Sequence, residues 1–428
     1  MQVAVIGAGF VGVVTAAIFS KFGNSVVAVD IDKRKITSLK RGELPFFEPD
    51  LKDLVSENMK AGRLVFTSSF KEAIPSAEII LICVGTPSAA NGQADLAYVF
   101  SAVQSMVPFL NNRAIIVIKS TVPPSTNNKI EQIIKKKTKK RIFTASVPEF
   151  LKEGSAVSDS LNPERVIIGS TDKWVIDKLN ELHKPLKGPK IVMSPESAQL
   201  TKYASNAYLA TRIAFINEIA NLCEKTGADV EEVILGLGGD KRIGSHYWYP
   251  GPGYGGSCFP KDVKELSAYA SSVNEREGLF EKIDDLNERR IPNLIAKYEA
   301  GIGGLQGKVV CVLGLSFKPN TDDLREAPST KFIPKLISLG AKIQTYDPKA
   351  MESAKRWFPK VVSYAQDAYT AAQGSDVLLL LIEWDEFKQL NLGILKKRMR
   401  GNIFIDTRNL YNRETVESKG FKYFGIGR

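Results

Sequence analysis

Val3-Ala-Val-Ile-Gly7-Ala-Gly9-Phe-Val-Gly12 is the stretch that decides the fold. Its apolar residues read as a short buried strand, its glycines as a tight turn, and the run 11–22 as the helix that follows. In such a unit the first glycine makes the turn and the second lets backbone approach a pyrophosphate. The third lets the helix pack close to the strand. A second strand, 25–29, ends at Asp30, 18 residues beyond Gly12. A carboxylate there takes the two ribose hydroxyls of a dinucleotide and repels a 2′-phosphate, which favours NAD over NADP. Lys33 and Arg34 close by soften that preference.

Outward from this unit, apolar runs at 79–84, 114–118, 141–145 and 166–169 read as further buried parallel strands. Amphipathic stretches such as 130–137 separate them, the pattern of a doubly wound sheet. From 197 to about 298 the strand signal disappears. Residues 196–226 hold no proline or glycine, follow Pro195 and stop at Gly227, which predicts one helix about 45 Å long. A helix of that length usually crosses a domain boundary or a dimer interface, and a stripe with Leu200, Ala207, Ala214 and Ile219 points to two-fold pairing. Residues 236–257 are instead loop-like, dense in glycine and aromatics.

Strands return at 308–313, 342–346, 377–382 and 402–406, and Val309-Val-Cys-Val-Leu-Gly314 echoes the opening strand and turn. The expected architecture is α/β, with two Rossmann-like doubly wound domains, 1–195 and 301–428, joined by a helical domain, 196–300. Only the first half carries the complete glycine fingerprint.

Composition narrows the class. The 428 residues are 44% hydrophobic and 25% charged, which excludes wholesale disorder. No run reaches the about 18 apolar residues of a membrane span. The apolar start lacks a basic leader region and reads as a strand rather than a signal peptide, so the expected compartment is a reducing cytoplasm. The net charge of +11 comes from 58 basic against 47 acidic residues and suits ligands that carry phosphates. The densest basic run, Lys135 to Arg141, has no interleaved aromatics and reads as a solvated helix end rather than a nucleic-acid surface. Four irregularly spaced cysteines make neither a disulfide framework nor a metal site. With only two histidines, acid–base work falls to Lys, Asp, Glu or Cys.

The most informative chemistry lies in Gly251-Pro-Gly-Tyr-Gly-Gly-Ser-Cys258-Phe-Pro-Lys261-Asp262. The glycines bring backbone amides close to whatever sits against Cys258, and Pro260 fits the first turn of a helix running on through 268. A thiol there feels the helix N-terminus and Lys261, both of which favour thiolate. Asp262 lies within one turn of the sulfur and is placed to hold or deprotonate a water. Cys83, Cys223 and Cys311 sit in apolar strand or helix patterns and read as inert core residues.

With these motifs in order, the chain resembles the UDP-glucose/GDP-mannose dehydrogenases over essentially its whole length. The likeness rests on GAGFVG with Asp30, Val84-Gly-Thr-Pro87, Lys119-Ser-Thr-Val-Pro123 and Pro148-Glu-Phe-Leu-Lys-Glu-Gly154. It continues through Lys202 and Asn206, Arg242-Ile-Gly244, the cysteine loop and Phe317-Lys-Pro-Asn-Thr-Asp-Asp-Leu-Arg325. The family oxidises a primary alcohol of a nucleotide sugar to a carboxylate with two NAD per turnover. The resemblance implies Cys258 as the nucleophile that captures the intermediate aldehyde, with Lys202 and Asn206 stabilising oxyanions. It implies Glu149, with Thr121 holding a water, as the aid to proton removal, and Asp262 as the residue that positions the hydrolytic water.

For NAD the resemblance implies contacts from Gly7, Gly9, Val11, Gly12, Asp30, Lys33, Thr86, Thr121, Glu153, Lys261 and Arg325. For the nucleotide sugar it implies Glu149, Phe150, Leu151, Lys152, Lys202, Asn206, Tyr247, Tyr254, Gly255, Phe317 and Lys318. Arg408 would meet the uridine part and Arg242 a neighbouring subunit's site. By themselves, Lys202 and Asn206 read as a solvated helix stripe, Thr121 as a strand-end hydroxyl, and Tyr247 with Trp248 and Tyr249 as a packed aromatic loop.

Ser257 before the cysteine and Lys261-Asp262 after it resemble the UDP-glucose branch, whose product is UDP-glucuronate for polysaccharide synthesis. GDP-mannose or a UDP-N-acetylhexosamine, with the same chemistry, is the alternative substrate. A catalytically silent nucleotide-binding regulator is the alternative class. The expected partners are the nucleotide sugar and further copies of the chain, in a homodimer or larger assembly, with no nucleic acid, membrane or metal.

Overall fold

The computed structural model describes residues 1–275 and 278–428. Eight strands form the first sheet: β1 (Gln2–Ile6), β2 (Ser25–Val29), β3 (Leu64–Thr67), β4 (Ile79–Ile82), β5 (Ile115–Ile118), β6 (Phe143–Ser146), β7 (Val166–Gly169) and β8 (Lys190–Met193). Their order is β3-β2-β1-β4-β5-β6-β7-β8. Central strands β4 and β5 are buried at every residue, because helices cover both faces of such a sheet. Val3 of β1 stands opposite Val26 on one side and Ile79 on the other, both parallel. Helix α1 (Phe10–Lys21) is buried from Gly12 through Ser20, so it is apolar nearly all round instead of striped.

One expectation needs correction. Residues 166–169 are not parallel to their neighbour: β7 meets β6 antiparallel, through the single pair Ser146–Gly169, and only β8 runs parallel to β7. Residues 147–155 leave β6 as a loop, and the six-residue helix Ala156–Leu161 is too short, at about 9 Å, to carry the chain back along the sheet.

The second sheet comprises β9 (Val309–Leu313), β10 (Lys342–Tyr346), β11 (Ser363–Tyr364), β12 (Val377–Leu380), β13 (Ile403–Asp406) and β14 (Lys422–Phe424), all parallel, in the order β11-β10-β9-β12-β13-β14. It repeats the opening turn of the first. Gly7 N donates to Val29 O at 2.7 Å and Ala8 N to Asp30 Oδ2 at 2.9 Å. Likewise Gly314 N donates to Tyr346 O at 3.0 Å and Leu315 N to Asp347 Oδ2 at 2.7 Å. The likeness ends there. Asp347 is sealed by Ser316, Trp384 and the amides of Lys349 and Ala350, and the next helix begins only at Pro328.

Three more helices hold candidate residues: α2 (Pro195–Thr226), α3 (Phe259–Ser272) and α4 (Leu279–Ile302). At 32 residues α2 is about 48 Å long. The chain divides into two compact units. The first holds Met1–Ser205 and most of α3, with a core on each face of its sheet. The second holds Asn206–Val263 and the chain from Leu279 on, and its core joins Ile216, Ala220 and Cys223 of α2 to Ile291, Leu294 and Ile295 of α4 and the second sheet. Among the described residues no helix is long and apolar enough to cross a membrane.

Candidate active site

The turn after β1 is shaped for close approach. Gly7 sits at φ +97°, and a Cβ there would stand 2.8 Å from the Cys83 carbonyl oxygen. A Cβ on Gly12 would stand 1.8 Å from the Gly7 oxygen, so the helix packs on the turn only with glycine. Gly9 precedes α1 without a side-chain cap, and nothing lies within 4 Å of its Cβ position. A helix start with no side-chain cap and room beside Gly9 is the kind of place that receives a pyrophosphate.

Asp30 accepts from Ala8 N, Asp32 N and the Lys35 ammonium, the last at 2.9 Å. Burial pushes its carboxyl up, but these hydrogen bonds outweigh that and hold it below its ordinary value. Lys35 is thus a cation at this acid, and Lys33 is exposed nearby. These features fit a dinucleotide whose ribose meets a carboxylate.

The ends of β5 and β6 bring further residues of the first unit together. Thr86 Oγ1 donates to the Thr121 carbonyl at 2.9 Å, which ties the loop after β4 to the loop after β5. Glu149, just beyond β6, pairs through Oε1 with Lys202 Nζ at 3.3 Å, and both are buried. Its other oxygen accepts from Leu151 N at 2.8 Å. Lys202 Nζ also lies 5.2 Å from the Phe150 ring centroid, and Arg165 covers the same ring at 4.2 Å. Lys152 instead pairs with Asp159 at 3.8 Å near the surface. Glu48, buried, accepts from Gly154 N and Ala156 N and so anchors the segment carrying Glu153. Lys119 lies in this neighbourhood, and burial holds its ammonium below the ordinary lysine value, with the Lys202 charge adding to the effect.

In the second unit, Cys258 immediately precedes α3, and its carbonyl accepts from Asp262 N at 2.8 Å in the first helical turn. It forms no disulfide and is exposed, whereas Cys83, Cys223 and Cys311 are buried. Burial pushes the Cys83 thiol up to about 12 and raises Cys311 as well. Asp262, 1% exposed, accepts from Asn206 Nδ2 at 2.5 Å and pairs with Lys261 Nζ at 2.7 Å.

The loop before Cys258 is packed tightly. Gly256, at φ +80°, leaves no room for a Cβ, which would stand 2.6 Å from the Phe317 ring. A Cβ on Gly255 would stand 2.2 Å from Glu326 O. Lys318 reaches back over the Phe317 ring, and Arg325 forks onto Asp323 while its carbonyl accepts from Gly256 N at 3.1 Å. Arg408 donates to Leu381 O at 2.8 Å and pairs with Glu383 at 3.1 Å, beside Gly251. Tyr247 adopts φ +65° and packs against Tyr249 and Phe259. Tyr254 is buried, its hydroxyl near Ile283 O, and the exposed Arg242 pairs with Asp240 at 2.6 Å.

Residues 1–187 match the NAD binding domain of the UDP-glucose/GDP-mannose dehydrogenase family, 196–289 its central domain and 311–413 its UDP binding domain. The chain belongs to this family. Among its relatives, the UDP-glucose 6-dehydrogenase TuaD of Bacillus subtilis is 43% identical, aligned over 100% of this chain and 93% of its own. The UDP-glucose 6-dehydrogenase of Rhizobium meliloti is 41% identical over the full length of both. The solved UDP-glucose dehydrogenase of Pyrobaculum islandicum superposes with a TM-score of 0.92 at 35% identity, covering 99% of this chain and 96% of that one. As a member of the UDP-glucose/GDP-mannose dehydrogenase family the chain is an NAD-dependent oxidoreductase.

Sequence reasoning gave no role to several residues that the structure places at the site. Lys35 lies five positions beyond Asp30 and folds back because Asp32 caps the helix Lys33–Lys40. Glu48 and Lys119 carry no individual signal, although Lys119 opens a quoted motif. Asn217, Asn287 and Arg290, all buried, contact the backbone of the cysteine loop.

Proposed function

We propose that the chain oxidises the primary alcohol of UDP-glucose to the carboxylate of UDP-glucuronate, with Cys258 as nucleophile. One observation carries the reading: the exposed cysteine stands at a helix start, one turn ahead of a buried carboxylate already held by Asn206. Gly7, Gly9, Gly12 and Asp30 would hold NAD, which would accept one hydride in each of two oxidations, a second NAD replacing the first NADH between them.

The chain's own residues handle protons and the covalent step. Glu149, with a water at Thr121, assists removal of the alcohol proton. The Cys258 sulfur then bonds to the aldehyde carbon, and the carbonyl oxygen becomes an oxyanion that the Lys202 ammonium and Asn206 amide stabilise. After the second oxidation the carbon is a thioester. Asp262 takes a proton from the attacking water, the C–S bond breaks, and the thiolate leaves as the carboxylate forms.

Relatives named for UDP-glucose support this sugar at 41–43% identity, whereas a solved enzyme named for UDP-N-acetylmannosamine stands at 27%. The test is NADH formed per sugar nucleotide, with UDP-glucose, GDP-mannose and UDP-N-acetylglucosamine compared. Two NADH from UDP-glucose and little from the others is expected. Two from another sugar would overturn the substrate, and none from any would overturn the activity.

A second copy of the chain is the proposed partner of α2. Leu200, Tyr208, Phe215 and Leu222, seven or eight positions apart, are 44–60% exposed along it. Ala207 and Ala214, expected on that stripe, are instead buried within the chain. Sedimentation of Phe215→Glu is expected to show a smaller species than the parent. The free cysteines fit a reducing compartment, and the cytoplasm is the proposed location.

A further inference from the structure

Two buried polar side chains of α4, Asn287 and Arg290, have no part in the chemistry above, yet both end on the backbone of the glycine-rich loop. Asn287 clamps one residue from both sides: its Oδ1 accepts from Tyr254 N at 2.8 Å and its Nδ2 donates to Tyr254 O at 3.0 Å. The clamp sits so close that a Cβ on Gly253, at φ +94°, would stand 2.3 Å from Asn287 Oδ1. Arg290 Nε donates to Gly251 O at 2.8 Å, and Gly251 N donates to Asn217 Oδ1 at 2.8 Å. Arg290 is itself held by Asn221 Oδ1 at 2.5 Å. Side chains from two helices thus satisfy both polar backbone groups of residue 251 and both of residue 254.

Glycine at 251, 253, 255 and 256 leaves this segment little backbone restraint of its own beyond Pro252, so its geometry depends on outside contacts. It leads directly to Cys258, whose sulfur must meet a carbonyl carbon within a narrow range of approach. A misplacement of about 1 Å costs on the order of 100-fold in rate. Resting on the reading of Cys258 as nucleophile, we propose that Asn287 and Arg290 are positioning residues that hold the loop so that this cysteine attacks.

The test compares Asn287→Ala, Asn287→Asp, Arg290→Met and Arg290→Lys in the full chain. Asn287→Asp keeps the acceptor for Tyr254 N and loses the donor to Tyr254 O; Arg290→Lys keeps a donor for Gly251 O. Expected for Asn287→Ala and Arg290→Met is a fall in kcat of about 100-fold with KM for UDP-glucose and Kd for NAD within about threefold. Iodoacetamide alkylation of Cys258, the one exposed cysteine, is expected to change rate at least tenfold, with Arg290→Lys recovering most of the parent behaviour. Unchanged kcat and alkylation in folded variants would overturn the proposal. So would a kcat loss that vanishes when rates are normalised to folded protein, the mark of a purely structural role. If Asn287→Ala or Arg290→Met does not fold, the milder Asn287→Asp and Arg290→Lys give the same readings. Cys258→Ser separates the two ideas: acid product at the parent rate would remove the nucleophile reading itself, whatever the α4 variants do.

Discussion

Asn206 Nδ2 lies 2.5 Å from Asp262 Oδ2, and both side chains are buried. A carboxylate so held cannot rotate freely, and its second oxygen is kept by the Lys261 ammonium at 2.7 Å. The pair joins one residue proposed to stabilise an oxyanion to another proposed to activate water. Asp262→Asn keeps an oxygen that can accept from Asn206 and removes the basic group together with the ion pair to Lys261. Its expected effect is a kcat lower by roughly 100- to 10,000-fold, the usual contribution of a general base. The thioester on Cys258 then accumulates, and intact mass spectrometry should show the added sugar nucleotide. Full turnover with no adduct would exclude Asp262 from the hydrolytic step.

Lys202 and Glu149 form a buried ion pair in the first unit. Removing one member leaves the other charge without its partner in a site that excludes water, which costs about 3–5 kcal/mol. Lys202→Met is therefore expected to lower the thermal midpoint and to cut kcat by about 100- to 1,000-fold, as loss of an oxyanion donor does. The double variant Lys202→Met with Glu149→Leu should regain most of the stability and none of the activity. Scanning calorimetry beside NADH assays reads both quantities; equal recovery of the two would show that the lysine acts only through folding.

The central strands were legible because helices on both faces of a parallel sheet demand unbroken apolar runs, as in Ile79–Ile82 and Ile115–Ile118. The edge strands β3 and β8 were not. Val65, Ile191 and Val192 are exposed, so their segments have no continuous buried pattern to read. The cysteine loop stood out because glycines and Pro260 have few uses at that density. Asn287 and Arg290 did not, since Asp284-Asp285-Leu286-Asn287-Glu288-Arg289-Arg290 reads as a solvated helical face. Only the loop packed against α4 shows which members of that run are buried.

Asp30 offers a test of cofactor choice. Its carboxylate holds Ala8 N and Lys35, and losing a hydrogen bond to a charged group costs roughly 1.5–3 kcal/mol, or one to two decades in affinity. Asp30→Ala is expected to weaken NAD by about that factor and to bring NADP closer, since Lys35 is left free to meet a 2′-phosphate. The ratio of the two Kd values from fluorescence titration checks it. The folded carboxyl is held below its ordinary value, so its contribution is complete above the unfolded pKa and lost only as pH falls through the lowered one. NAD affinity should accordingly be flat from neutral pH down to about pH 5.

His183 sets a pH limit on the first unit. Burial, with the Lys119 charge second, lowers its pKa to about 4, and its ring stacks edge-on against Phe19 while Nδ1 lies 2.7 Å from Leu179 O. The unfolded chain takes a proton here near pH 6.5 and the folded one does not. Stability from the neutral ring is thus complete above about pH 6.5 and is lost progressively as pH falls toward 4, by on the order of 3 kcal/mol. His183→Phe should lower stability at pH 7 modestly, by cavity or strain, and flatten the decline between pH 6.5 and 4. Urea unfolding at several pH values gives the slope directly; an unchanged slope in the variant would assign the acid sensitivity to the carboxylates instead.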